Sequence, residues 1–393
     1  MIIGKTDCGL QYAVKQRVSP VAYCALSIKC GTRDEAGFNG GIAHFVEHTI
    51  FKGTSKRSAA VINGYLDKLG GELNAFTTKE EIVIHATVLK EDLNKAAALL
   101  LEMAVAATFP EHEIKTEKGV VIDEIRSYKD SPSEDIYDKF EEMLFEGHPL
   151  SGNILGTAAS VRKIKRDEVQ RFVKEMFRPE KMAVKLVSGA FAGKTEEEGS
   201  SRVLAEPQTR KFDLTLNKRN HQANCIIGGL APSLYQNRER LATVLLCNIL
   251  GGPANNSILN SVLREKNGWV YGVECGYTQY ADTGIVTISL GCDKANLDKC
   301  VATIWKELEK LKTVTMSDRK LKAAKKQLLG QLAVSGDNGE TQCLSMGKSL
   351  LAFGKIPDSK ENRSMVDSIT AEDVRLMACQ IFDESRISKL IYI

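Results

Sequence analysis

The sequence predicts an α+β protein made by duplication of one domain, and three observations carry that prediction. Runs that alternate apolar and polar residues, the period of a half-buried strand, are interspersed with runs whose apolar residues recur at the helical period. Residues 161–187 (VRKIKRDEVQRFVKEMFRPEKMAVKLV) and 366–392 (VDSITAEDVRLMACQIFDESRISKLIY) align without gaps at an offset of 205. Val161 meets Val366, Ile164 meets Ile369, Val169 meets Val374 and Phe177 meets Phe382. Between the two copies, residues 191–211 are rich in Gly, Ser, Glu and Pro and suit a surface linker. The alternative to duplication is a pair of unrelated helix–strand units. The offset is about half of the 393 residues, which favours a duplicated domain.

Taken in order, strand-like alternation opens at 10–16 and 21–30, and the first helical run is 42–52, with Gly53 as a C-terminal stop. A second helix covers 58–70. The glycines at 70 and 71 then lead into an edge strand that carries Asn74, Ala75, Phe76 and His85, its clearest alternation at 80–89. Helix 91–107 overlaps the most apolar run, KAAALLLEMAVAATF (95–109), which is too short to span a bilayer and includes Glu102, so it reads as a buried core helix. Helices at 111–129, 134–145 and 166–177 and a strand at 182–188 complete the first half. The second half has strands at 212–218, 223–230, 270–279, 284–291 and 387–393. Its helices fall at 237–250, 257–266, 294–312, 317–334, 340–352 and 371–382.

Composition narrows the function classes. The hydrophobic share of 43% and charged share of 26% are those of an ordinary globular chain. A net charge of +3, with no basic run interleaved with aromatics, points away from nucleic acid. The first residues lack the apolar core of a secretory signal. The ten cysteines include no C-x-x-C pair and lie mostly in apolar segments, as small buried hydrophobes in a reducing compartment do. A cytoplasmic protein without membrane association is expected.

One helical segment departs from its apolar surroundings. In NGGIAHFVEHTIFKGT, His44, Glu47 and His48 fall within an arc of about 100° on one helix face. Histidines at i and i+4 are neighbours and can share a cation. Taken alone, such a pair is more often surface or core detail than a metal site. With Glu47 it forms H-x-x-E-H, the inverted zinc helix, in which the Glu is a base beside the metal rather than a ligand. A catalytic zinc keeps about three protein ligands and one open position, so a carboxylate from another helix is required. Manganese or cobalt is a weaker match to this ligand set.

GIAHFVEHTIFKGT resembles the zinc segment of the pitrilysin/insulinase family of metallopeptidases, which includes the mitochondrial processing peptidases. KCGTRDE (29–35), LGGELNAFTTKEE (69–81), HPLSGNILGT (148–157) and FRPEKMAVKLVSG (177–189) resemble further landmarks of that family. The resemblance implies two homologous α/β domains, each a mixed, mostly antiparallel sheet with helices packed on it, together forming one half of a clamshell chamber. The expected boundaries are 1–192 for a zinc-binding catalytic domain, 193–211 for a linker and 212–393 for a domain without zinc.

The family's third ligand is a glutamate some 75–77 residues after the second histidine. Glu124 lies 76 positions after His48, and Glu117 lies two helical turns before it on the same face. The resemblance therefore implies one zinc ion per chain on His44, His48 and Glu124, with Glu117 as a neighbouring acid that orients or assists catalysis. Asp123 points about 100° away. Without the resemblance both glutamates would read as solvated charges. In the second half, RERLATVLLCNILGGP (238–253) aligns with the zinc helix but carries Leu and Ala in place of its histidines and glutamate. LREKNGWVYGVECGY offers Arg264 and Tyr271, which in the family bind the substrate backbone and the oxyanion. The departures are GGPANNSIL, where Ser-Ser-Arg is more usual, and Trp269 in place of Leu. Asn74, Ala75 and Phe76, on the edge strand, are expected beside the metal, where an extended peptide can join the sheet. His85 is read as a structural or rim residue.

The activity implied is a zinc metalloendopeptidase acting on short unfolded peptides. Glu47 moves the proton, and a homodimer or a related subunit completes the chamber, so that Arg264 and Tyr271 act in trans. Two other classes are a non-catalytic peptide-binding or partner subunit of a two-subunit processing peptidase, and a structural zinc protein. A structural site is usually closed by four protein ligands and rich in cysteine, and no cysteine lies near this motif.

Overall fold

The computed structural model describes residues 1–187 and 207–393. The first half forms β1 (Ile2–Lys5), β2 (Gln11–Lys15), β3 (Val21–Ile28), α1 (Ile42–Thr49), α2 (Ala59–Asp67), β4 (Glu72–Thr77), β5 (Ile82–Leu89), α3 (Leu93–Ala106), α4 (Glu111–Lys129), α5 (Pro132–Leu144), α6 (Ala158–Lys163), α7 (Arg166–Met176) and β6 (Met182–Val187). The second forms β7 (Asp213–Leu216), β8 (Ala223–Ala231), α8 (Asn237–Gly251), a π-helical turn (Asn260–Glu265), β9 (Val270–Gln279), β10 (Gly284–Cys292), α9 (Leu297–Thr313), α10 (Asp318–Ser335), α11 (Gly339–Phe353), α12 (Ser359–Asp367), α13 (Ala371–Ile381) and β11 (Ser388–Tyr392). Of the stretch expected to link the halves, residues 193–206 lie outside the described residues.

Two mixed sheets carry the fold. The first runs β1-β2-β6-β3-β5-β4 and the second β7-β11-β8-β10-β9. In each, one parallel pair (β2 with β6, β7 with β11) sits among antiparallel neighbours. From β2 onward the two orders correspond strand for strand. The repeat read in the sequence is the same structural unit twice: α7 and α13 span Arg166–Met176 and Ala371–Ile381, at the offset of 205. Its matched positions Val161, Ile164, Val169 and Phe177, and Val366, Ile369, Val374 and Phe382, are all buried in the respective cores. Short helices α6 and α12, which the periodicity reading passed over, start at capping boxes, Thr157 with Ser160 and Asp358 with Glu361.

The compact units differ from the contiguous halves expected. One comprises Met1–Ser127, the described residues of 152–202, and Val334–Pro357; the other comprises Tyr128–Ser151, the described residues of 203–333, and Asp358–Ile393. Each unit thus takes one helix from the other half of the chain. The physical reason is the matching of apolar stripes. On α5, Ile136, Phe140 and Leu144 recur every four residues and pack with Ile226, Ile285, Leu390 and Tyr392 of the second sheet. On α11, Cys343, Met346 and Leu350 pack on Ala13, Ala25 and Ala183 of the first sheet. Those small side chains let the helix lie close. At the start of α11, a Cβ on Gly339 would stand 2.2 Å from the Tyr23 ring, so only glycine fits there. Among the described residues no helix is long and apolar enough to cross a membrane.

Candidate metal centre

The site is built on α1. Ile42, Phe45, Val46 and Ile50 anchor the helix in the first core. Its N-terminus is held by two acids from elsewhere. Glu35 accepts hydrogen bonds from the N–H groups of Gly41 (2.8 Å) and Ala43 (2.9 Å), and Glu168 accepts from the backbone and side chain of Asn39. The second glycine of the pair has a steric cause: Gly41 has φ +87°, and a Cβ there would sit 2.6 Å from the Leu155 carbonyl oxygen. Burial pushes the Glu35 carboxyl up to about 8 against the pull of its two amide partners.

The second helix of the site is α4. Its apolar side, with Ile114, Val121, Ile122 and Ile125, is buried, and this turns Glu117 and Glu124 toward α1. Glu124 Oε2 lies 3.7 Å from His44 Nε2 and 3.4 Å from His48 Nε2. Asp123 faces outward and pairs with Arg126 at 2.7 Å. Among the described residues, His44, His48 and Glu124 are the one group of three or more potential metal ligands, with donor atoms all within 4.8 Å of one another.

This set fits zinc. Ligands at zinc distances on a tetrahedron stand about 3.3 Å apart along each edge. The two carboxylate–imidazole separations are close to that edge. Glu124 Oε2, the oxygen facing both rings, is buried without a hydrogen-bond partner, as a carboxylate awaiting a cation would be. Burial and the neighbouring His48 hold the His44 imidazole down to about 3, so it stays neutral and keeps its lone pair. The rings of His44 and His48 meet edge to face, with centroids 4.6 Å apart.

The other predicted residues separate into groups. Glu47 is half-buried, and burial raises its carboxyl, while the Thr77 hydroxyl and His48 act the other way. Its Oε2 has no hydrogen-bond partner. Glu117 is buried, with Oε1 2.9 Å from Lys52 Nζ and 4.0 Å from His48 Nδ1. Strand β4 is the edge of the first sheet, whereas His85, expected on that edge strand, lies on β5 between β4 and β3. The three residues named on β4 divide by face: Ala75 packs toward the core that contains α1, whereas Phe76 packs on the α11 side. Asn74 shares the Phe76 face by alternation and is exposed. What β4 offers a peptide is therefore its open backbone edge. His85 pairs with Glu340 of α11 at 3.0 Å, a structural contact.

Arg264 and Tyr271 belong to the second unit, and both sit on irregular backbone. Arg264 lies in the π-helical turn, where the Lys266 N–H donates to Ser261. Gly291 faces Gly272 while Cys292 faces Val270, so Tyr271 is the extra residue of a β-bulge. Its side chain is 61% exposed, and its hydroxyl donates to Asp293 at 3.0 Å. Sequence reasoning passed over Lys52 and Glu35. Lys52 was visible as the Lys of FKGT, four residues after His48. Glu35 carried no signal beyond ending KCGTRDE.

An inverted zinc helix completed by a glutamate from a second helix, on a duplicated α/β scaffold, defines the class of the inverted-motif zinc peptidases. The profile described as insulinase (peptidase family M16) matches residues 12–158, and the one described as the peptidase M16 inactive domain matches residues 163–328. An uncharacterized zinc protease of Bacillus subtilis, YmxG, is 31% identical over 375 residues, covering 93% of this chain and 91% of that protein. An uncharacterized zinc protease of Rickettsia bellii is 29% identical, with the same coverage of 93% and 91%. Among solved structures, a protease from Helicobacter pylori superposes with a TM-score of 0.89 at 18% identity, covering 100% of this chain and 98% of that one. A structure described as the peptidase M16 inactive domain from Pseudomonas fluorescens gives 0.85 at 18% identity, covering 100% and 97%. The chain belongs to the insulinase (M16) family of peptidases.

Proposed function

We propose that this protein is a zinc-dependent endopeptidase that hydrolyses short unfolded peptides within a dimeric chamber. The observation that supports it most is the convergence of His44, His48 and Glu124, from two helices, on one point with three donors. His44, His48 and Glu124 would hold the zinc, which would supply Lewis acidity toward a carbonyl and a water. Glu47 accepts a proton from the attacking water and delivers it to the leaving amine; a carboxyl raised by burial suits both directions of transfer. The open β4 edge pairs with the substrate backbone, which favours extended chains over folded ones. Arg264 and Tyr271 donate hydrogen bonds to the developing oxyanion. The second bowl of the chamber comes from another copy of this chain or from a related subunit.

The test is hydrolysis of a quenched-fluorescence peptide by the zinc-loaded protein, with and without chelator, and by Glu47→Gln. Loss of activity with chelator, and a fall of about 10²–10⁴-fold in Glu47→Gln with zinc retained, are the expected results. Cleavage that continues unchanged in chelator overturns the reading. Peptide binding without turnover by the zinc-loaded protein would point instead to the non-catalytic partner subunit.

A further inference from the structure

We propose that Lys52 is a positioning residue of the metal centre. Its ammonium fixes the buried Glu117 carboxylate beside His48, and through that carboxylate it sets how tightly the site holds zinc. The inference rests on the zinc reading above.

The contacts run in one line. Lys52 Nζ stands 2.9 Å from Glu117 Oε1, the same oxygen stands 4.0 Å from His48 Nδ1, and His48 Nε2 faces Glu124 Oε2 at 3.4 Å. At 4.0 Å the Glu117 carboxylate acts on the ring by charge. A negative charge on the Nδ1 side favours the tautomer protonated at Nδ1, which leaves the Nε2 lone pair free for a metal. Glu117 can hold that place only if its own charge is matched. Its side chain is 6% exposed, and a buried carboxylate without a counter-ion is strongly unfavourable. Lys52 is that counter-ion.

The backbone shows that Lys52 is itself held. The chain leaves α1 through a tight turn, with the Lys52 N–H donating to Thr49 O at 3.1 Å. The next residues are pinned: Thr54 N–H donates to Arg57 O at 2.8 Å, Thr108 N–H donates to Gly53 O at 3.0 Å, and Thr54 Oγ1 donates to Glu102 at 2.6 Å. Arg57 closes the network as an ion pair with Glu102. Gly53, at φ +136°, allows the turn. The FKGT segment therefore aims one ammonium at one carboxylate across the gap between α1 and α4.

Zinc affinity, measured by competition with a chromogenic chelator, tests the inference without relying on catalysis. The variants are Lys52→Met, Lys52→Arg, Glu117→Gln and the double Lys52→Met/Glu117→Gln, each checked by thermal unfolding of the zinc-free form. Lys52→Met and Glu117→Gln should each weaken zinc binding by about 10–100-fold. Lys52→Arg should stay within a few-fold of wild type, and Lys52→Met should add no further loss once Glu117 is replaced. Wild-type affinity in either Lys52→Met or Glu117→Gln overturns the proposal. So does an equal loss from Lys52→Met in the Glu117→Gln background, because Lys52 would then act by another route. If Lys52→Met fails to fold, Lys52→Gln takes its place, with the same expected loss and the same overturning result. A wild-type protein that takes up no zinc defeats the functional reading itself, whereas a zinc-binding wild type with insensitive variants defeats only this inference.

Discussion

At the scale of single residues, two buried titratable groups around α1 pull the pH dependence of stability in opposite directions. His44 is held down to about 3 in the fold from an ordinary value of 6.5. Between those values the unfolded chain binds the extra proton, so stability of the zinc-free protein falls as pH drops from about 6.5 toward about 3. Glu35 is raised from 4.5 to about 8, so over that window the folded state binds the extra proton and stability falls as pH rises. Denaturant unfolding across pH should show His44→Gln flattening the acid-side slope and Glu35→Gln flattening the slope from pH 4.5 to about 8. Unchanged slopes in both variants would mean that neither group is buried as described. Of the proposed ligands, His44 and His48 were legible at this scale because a helix fixes the angle between i and i+4, whereas Glu124 entered only through the family resemblance. Lys52 was not legible: its partner lies 65 residues later in the chain, and no local period relates the two.

At the scale of elements, most strands and helices follow the sequence because their apolar period sets them, although the short helices α6 and α12 escaped it. Helix 111–129 and strand 270–279 coincide with the observed α4 and β9. Which sheet a helix would cover was another matter. Helix α11 lies after the second half's own α9 and α10, yet it packs on the first sheet. Leu350→Ala should therefore loosen the first sheet. We expect a loss of about 2–5 kcal/mol and faster amide hydrogen exchange in β3, with β8 and β10 unaffected. Faster exchange confined to β8 and β10 would contradict the exchange of helices between the halves.

At the scale of the whole molecule, the proposed chamber makes a prediction about catalysis between chains. If Arg264 and Tyr271 serve the zinc centre of a partner copy, a mixture of Glu47→Gln and Tyr271→Phe chains recovers activity, because each mixed dimer has one intact site. Recovery should reach about a quarter of wild type on statistical pairing, since both residues act in one transition state. It should coincide with a solution mass twice that of the 43.2-kDa chain. No recovery from two inactive parents in a verified dimer would place Arg264 and Tyr271 with their own chain's zinc. The bulge at Tyr271 and the π-helical turn at Arg264 were invisible in the sequence, because each is a one-residue departure from a period that otherwise reads cleanly.

Glu124 was reached only through the family resemblance; by itself the sequence determined most of the helices and strands and the placing of His44 and His48 on one helix face. These depend on short-range geometry, which a helix or strand imposes wherever its apolar residues recur. Only the tertiary structure decided that α5 and α11 cross to the other half's sheet, that His85 lies on β5 inside the first sheet and not on its edge, and that Lys52 meets Glu117. Periodicity tells which face of an element is buried, but the surface that buries it is chosen by packing among residues far apart along the chain.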